Sequence, residues 1–272
     1  MRGFIPFLSL LSHHVPVREA EGGLSKKAVS MQVIDNKALL LKLRQPEKVT
    51  SVIPKSKLLP DNRVLVNWGI EETHVLKNLN IKAPSPIEAE YEWTGKHEPF
   101  DHQKTTSSFL TLNKRAFCFN EQGTGKTASA IWAADYLMSK SRINRVLVIC
   151  PLSIMDSAWR QDLFTFAMHR SVSVAYGSSK QRRKIIEEGA EFVIINYDGV
   201  EVVRDAIEEG GFDLVIVDEA THYKNVQTNR WKTLNSLITG STWVWMMTGT
   251  PAAQSPLDAF VLAKMGDPKS EP

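Results

Sequence analysis

The sequence predicts an α/β protein whose larger part is a parallel central sheet flanked by helices, preceded by a small β-rich segment. Three observations carry that expectation. Beyond Phe100, apolar runs of strand length alternate with amphipathic runs of helix length. Residues 115–127 read RAFCFNEQGTGKT, an apolar strand that runs into a glycine-bearing turn and then a helix. Between Ser30 and Trp68, by contrast, only short apolar runs occur, each closed by a turn signal.

At 272 residues with 43% hydrophobic content, the chain has room for one large domain or two small ones. Its 33 basic and 30 acidic residues leave a net charge of +3, so any contact with a polyanion must come from local patches. Cys118 and Cys150 close apolar runs and read as buried free thiols, which fits a reducing compartment and leaves no cysteine metal site. Residues 1–29 begin with a basic residue and a short apolar run, but Pro6 interrupts that run and no small-x-small cleavage site follows. They are expected to form a poorly ordered leader that includes His13 and His14. No run approaches the roughly 18 apolar residues a membrane helix needs.

Taken in order, 31–34, 38–43, 49–53 and 64–66 read as strands, separated by Asp35-Asn36, Gln45-Pro46 and Pro60-Asp61-Asn62. Residues 71–79 read as a helix, and Ala83-Pro84-Ser85-Pro86 as a linker. A β-rich module over 30–90 and a larger lobe over 91–272 follow. In that lobe, strands are expected at 115–119, 145–150, 172–176, 192–196, 214–217 and 243–247. Helices are expected at 102–112, 126–140, 154–166, 180–188, 200–208 and 229–238. Trp132, Trp159, Trp243 and Trp245 fall within these patterns and read as core.

The chemistry concentrates at two strand ends. Gly123-Thr124-Gly125-Lys126-Thr127, between a strand and a helix N-terminus, has the makings of a phosphate cradle. Backbone N–H groups face the anion, Lys126 reaches the β/γ-phosphates and Thr127 offers its hydroxyl to Mg²⁺. The usual pattern wants glycine at 120, where this chain has Asn120. Leu214-Val215-Ile216-Val217 then ends in Asp218-Glu219, two carboxylates at the carboxyl end of a buried strand. Such charge is costly unless used. Beside a phosphate loop, Asp218 holds Mg²⁺ and Glu219 orients or deprotonates the attacking water; the competing reading is that both merely cap the next segment.

The residues 120–127, 218–225 (DEATHYKN) and Thr248-Gly249-Thr250-Pro251 resemble motifs I, II and III of superfamily 2 helicases, closest to the Swi/Snf-like branch and its bacteriophage members. Gln103, after Pro99-Phe100-Asp101-His102, is similar to the adenine-reading glutamine upstream of motif I. Val148-Ile149-Cys150-Pro151-Leu152-Ser153 with Trp159 resembles motif Ia, and Ile195-Asn196-Tyr197 resembles motif Ib. The resemblance spans about 67–268. It implies a RecA-like P-loop lobe that binds ATP and Mg²⁺ through Gln103, Gln122, Gly123, Thr124, Gly125, Lys126 and Thr127, in a bacterial or phage-infected cytoplasm. Catalysis would rest on Lys126, Asp218 and Glu219. Thr221 stands where the family often has histidine, so coupling is expected through Thr221 or His222 with Thr248 and Thr250.

The same resemblance implies that Ser153, Asn196 and Tyr197 grip a nucleic-acid backbone, DNA rather than RNA; the basic run Lys180, Arg182, Arg183, Lys184 is a further candidate, with a solvated helix face as its competing reading. It also implies a second RecA-like lobe that supplies arginine. None follows Pro268, so the chain is expected to be part of a longer protein or to take that lobe from another polypeptide, and alone to bind ATP while hydrolysing it poorly. Two rivals stand beside the motor: a nucleic-acid-independent P-loop NTPase, and a non-catalytic DNA- or partner-binding module.

Overall fold

A computed structural model describes residues 30–121, 123–220 and 228–249. The chain divides into two compact units, with the boundary in the sequence between Tyr91 and Glu92.

The first unit is a four-stranded antiparallel sheet in the order β1-β2-β4-β3. Its strands are β1 (Ser30–Ile34), β2 (Ala38–Lys42), β3 (Lys57–Leu59) and β4 (Arg63–Asn67). Asp35 and Asn36 (φ 48° and 52°), then Asp61 and Asn62 (φ 61° and 57°), turn the chain through left-handed backbone. Asn and Asp tolerate that region, and such turns match the twist of paired strands. Leu39, Leu41, Val64 and Val66 alternate onto the inner face, where Val49, Ile53, Trp68 and Leu76 complete the core. The expected strand over 49–53 is instead the helical turn α1 (Glu47–Thr50) and its continuation. Pro46 (φ −64°) starts that turn, and Val49 and Ile53, one helical turn apart, are both buried. Two short helices follow, α2 (Ile70–Asn78) and α3 (Ile87–Glu90).

The second unit is a six-stranded sheet in the order β5-β10-β9-β6-β8-β7, every pair parallel. The strands are β5 (Arg115–Phe119), β6 (Val146–Cys150), β7 (Val172–Ala175), β8 (Phe192–Asn196), β9 (Leu214–Asp218) and β10 (Trp243–Thr248). β6, β8, β9 and β10 are buried at every position, as near-continuous apolar runs require in a covered parallel sheet. Trp132, Trp159, Trp243 and Trp245 are all in the core.

Helices α4 (Asp101–Leu112), α5 (Lys126–Ser139), α6 (Gln161–Phe166), α7 (Ser179–Glu187), α8 (Tyr197–Val202), α9 (Arg204–Glu209) and α10 (Asn229–Leu237) connect the strands. Two differ from the expected pattern. The helix expected over 154–166 is a 3₁₀ turn Leu152–Ile154, a π-helical turn Met155–Arg160 and then α6. The wide π turn faces both Met155 and Trp159 inward. The helix expected over 200–208 begins at Tyr197, directly after β8, and breaks at Val203 (φ −127°, ψ 32°), whose side chain is buried.

Candidate nucleotide-binding site

The sheet register brings the two chemical segments together. Cys118 on β5 and Asp218 on β9 both pair with Met247 of the intervening β10. Two strand spacings, about 10 Å, therefore separate the start of the glycine turn from the carboxylate. Thr248, one residue further along β10, lies between them and donates from Oγ1 to Glu219 Oε2 at 3.4 Å.

The glycine turn is held from below by α4. Gly123 and Gly125 take left-handed φ of 78° and 75°. The Gln103 side chain accepts from Phe100 N–H (3.0 Å) and donates to Thr124 O (3.3 Å). A methyl at Gly125 would come within 2.0 Å of Gln103 Nε2 and push that side chain aside, and the left-handed φ itself favours glycine. His102 Nε2 also meets Thr124 O at 3.0 Å, and Asn120 Nδ2 donates to Thr106 Oγ1 at 3.0 Å. Asn120 thus ties the loop to α4 through a side chain that glycine would lack. A cleft of about 540 Å³, bordered by His102, Thr106, Phe119 and Asn120, opens beside the turn.

Lys126 is 9% exposed, and its Nζ donates to Asn120 O (2.8 Å) and Glu121 O (2.9 Å). Those partners are neutral, so its charge is not cancelled by a carboxylate among the described residues. The Thr127 hydroxyl, half-buried, makes no hydrogen bond among them. Ser129 donates to Gly125 O, and Ser107 joins α4 to α5 through Ser129 O at 2.9 Å.

Asp218 is 7% exposed, and each of its carboxyl oxygens accepts one hydrogen bond. Its Oδ2 accepts from Trp159 Nε1 at 2.9 Å, and its Oδ1 from Glu219 N at 3.0 Å. Its main-chain carbonyl accepts from Tyr197 Oη at 2.5 Å. Burial pushes its carboxyl above the usual range and the neighbouring Glu219 adds to this, while the Trp159 N–H and the Lys126 charge work the other way. A buried carboxylate raised in this manner, within reach of the Lys126 charge and without a lysine or arginine salt bridge among the described residues, suits a divalent cation and a polyphosphate. Glu219 itself sits at φ 52°, a left-handed conformation that costs a non-glycine residue about 1–3 kcal/mol. Burial pushes the Cys118 thiol up to about 11 and raises Cys150 as well, so both are inert.

Other expected residues are placed differently. Ser153 is exposed on the 3₁₀ turn after β6. Asn196 is buried and accepts from Arg182 Nη1 at 2.9 Å, and the Tyr197 hydroxyl is committed to Asp218. Arg182 leaves the expected basic run: it is buried and donates to Ala175 O and Gly177 O. Arg183 pairs with Asp205, while Lys180 and Lys184 are exposed. Gln122, Thr221, His222 and Thr250 lie outside the described residues. The Trp159–Asp218 and Tyr197–Asp218 bonds escaped the sequence reading, although a buried indole N–H always poses the question of its partner.

The sequence profile of the SNF2-related domain matches residues 61–269. A Caenorhabditis elegans protein named as a SWI/SNF-related matrix-associated actin-dependent regulator of chromatin subfamily A-like protein 1 homolog is 26% identical over 198 residues, covering 71% of this chain and 28% of that protein. Protein p41 of Acyrthosiphon pisum secondary endosymbiont phage 1 is 27% identical over 172 residues, covering 60% of this chain and 37% of that protein. The chain thus spans about a third of the length of these relatives. The Sulfolobus solfataricus SWI2/SNF2 ATPase core in complex with dsDNA superposes with a TM-score of 0.58 at 22% identity, over 65% of this chain and 37% of that one, and shares its fold. With the profile matched over most of its length, the chain belongs to the SNF2-related domain family, within the Swi/Snf-like branch of superfamily 2.

Proposed function

We propose that this chain is the ATP-binding lobe, with an N-terminal module over 30–90, of a DNA-dependent ATPase that couples hydrolysis to movement on DNA. The observation that carries the reading is the pairing across β10. A lysine held over a glycine turn lies about two strands from a buried, raised-pKa carboxylate, with Thr248 between them. The naming of a structural neighbour as an ATPase core with double-stranded DNA supports the choice of nucleotide and polymer.

In this reading Gly123, Thr124, Gly125 and the N-terminus of α5 hold the phosphates, and Lys126 exchanges its loop carbonyls for phosphate oxygens. Gln122 joins the loop and Gln103 the adenine. Asp218 and Thr127 would hold Mg²⁺, which when bound neutralises charge developing on the transferred phosphoryl group. Glu219 positions the attacking water and takes its proton, and Thr248, with Thr221 and Thr250, reports the state of Glu219 toward the end of β10. The water-positioning strain at Glu219 is of the kind that catalytic sites retain. Ser153, Asn196 and Tyr197 are assigned to the nucleic-acid side, the latter two through their buried neighbours. Full turnover is assigned to a second RecA-like lobe, in cis or in trans, whose arginine is worth about 10³–10⁵ in rate in related nucleotide hydrolases.

The test is ATP hydrolysis with and without double-stranded DNA, for this chain and for a two-lobed version. DNA stimulation of the two-lobed protein, lost in Lys126→Ala and Glu219→Gln, is expected. Turnover indifferent to DNA would overturn the motor, and turnover that survives either substitution would overturn the site.

A further inference from the structure

The first unit holds a concentration of charge that the nucleotide site does not use. Residues 37–63 contain seven basic side chains (Lys37, Lys42, Arg44, Lys48, Lys55, Lys57 and Arg63) against Glu47 and Asp61, a net +5 where the whole chain is +3. The excess positive charge of the protein therefore resides in this short stretch, and the remainder is net negative.

The sheet register organises these cations. Lys42 on β2 and Arg63 on β4 are direct cross-strand partners. Like charges facing each other across a ladder destabilise the pair, and an anion bound between or above them would relieve that repulsion. Lys57 pairs with Leu65, two residues from Arg63, which places Lys57, Arg63 and Lys42 on one face of the sheet. Arg44 follows two residues after Lys42. Together with Ser30 and Asn62 these two cations line a cleft of about 360 Å³ that contains no carboxylate.

The cations are also unspent. Arg63 donates from Nε to Pro60 O at 3.3 Å and has one weak ion pair, 3.8 Å to an exposed Asp61, which leaves most of its guanidinium N–H groups open. Lys42, Arg44 and Lys57 are exposed, and among the described residues their side chains make no ion pair or hydrogen bond. Free ammonium and guanidinium groups beside an amide and a hydroxyl are the groups that contact backbone phosphates. Cations spread over one position on each of three strands and the segment after β2, more than one phosphate would occupy, suit a polymer.

We propose that Lys42, Arg44, Lys57 and Arg63, all on the N-terminal module and none of them part of the nucleotide site, form a second, sequence-independent contact for the phosphate backbone of DNA. The choice of DNA over other polyanions rests on the function proposed above; the site itself rests on the register and the cleft.

The experiment compares the full wild-type chain with the Lys42→Ala/Arg44→Ala/Lys57→Ala variant, all exposed positions whose loss leaves the core untouched. Fluorescence anisotropy with a labelled duplex is read from 50 to 200 mM salt. Each lost phosphate contact lowers the slope of log K against log salt by about 0.9, so a fall of about 2–3 in slope is expected, with a 10-fold or greater loss of affinity at low salt. A Lys42→Arg/Arg44→Lys double variant should bind like wild type. An unchanged slope in the triple variant would overturn the proposal, as would anionic vesicles that bind through these side chains more tightly than the duplex. Fluorescent ADP binding, measured in parallel with Lys126→Ala as control, reports on the nucleotide site: retained ADP binding beside an unchanged DNA slope sinks this contact alone, and wild-type ADP binding in Lys126→Ala sinks the nucleotide reading alone.

Discussion

Trp159→Phe tests whether the hydrogen bond to Asp218 serves the site or only the fold. The substitution removes the indole N–H that donates to Asp218 Oδ2 at 2.9 Å while keeping an aromatic ring in a fully buried position. A hydrogen bond to a charged group is worth about 1.5–3 kcal/mol. The smaller ring adds a fraction of the about 3–5 kcal/mol that truncating a buried tryptophan costs. A total near 3 kcal/mol lowers the melting temperature of a unit this size by about 6–12 °C. The donor also favours the ionised carboxylate, against burial and Glu219. Without it, the Mg²⁺ concentration that half-supports nucleotide binding should rise about tenfold, the low end of the about 10–100-fold that hydrogen-bond partners of metal ligands are worth. Calorimetry gives the first number, and fluorescent ADP titrated over a Mg²⁺ series gives the second. Trp132→Phe is the control: Trp132 is equally buried but donates to Thr94 O, so it should lose stability with the Mg²⁺ dependence unmoved. A Mg²⁺ half-point within twofold of wild type in Trp159→Phe would refute the reasoning.

Gly125→Ala and Gly123→Ala separate backbone strain from close approach. Both positions are left-handed, which costs an alanine about 1–2 kcal/mol, but only at Gly125 does the new methyl displace Gln103 and break its bonds to Phe100 and Thr124. Nucleotide affinity should fall at least tenfold in Gly125→Ala and far less in Gly123→Ala; equal affinities would argue against a role for the Gln103 brace. Glu191 supplies the pH dependence. Burial pushes its carboxyl up, but Ser171 N–H and Arg170 outweigh that and hold it below the usual range. A depressed carboxylate stabilises the native state above its unfolded pKa and loses that contribution as pH falls through the folded value. In urea unfolding, wild type should exceed Glu191→Gln at neutral pH, with the gap closing below about pH 4; a gap constant from pH 3 to 7 would contradict the assignment.

Much of this protein was legible before any coordinates. All six strands of the parallel sheet lie within a residue or so of where the apolar runs put them, because strands buried on both faces must be continuously apolar and leave little freedom of register. The positions of the glycine turn and of the Asp218-Glu219 pair at strand ends were legible for a related reason. Glycines and charged side chains cannot continue a strand buried on both faces, so they mark where an apolar run leaves the sheet. The third strand of the first unit was misplaced because Val49 and Ile53 serve a strand pattern as well as a helical turn, and Pro46 decided between them only in three dimensions.

What the sequence determined by itself was therefore the kind of sheet and the groups available at its carboxyl ends, since both follow from local composition. The tertiary structure alone decided which groups meet. Cys118, Met247 and Asp218 align because three strands distant in sequence share a register. Trp159, read as core, holds Asp218 because a π turn carries its indole under β9. Arg182, read as part of a basic surface, turns inward to Ala175 and Asn196 because unpaired carbonyls and an amide wait there. Such partnerships are long-range hydrogen bonds, and no local pattern in a chain encodes the far end of a contact.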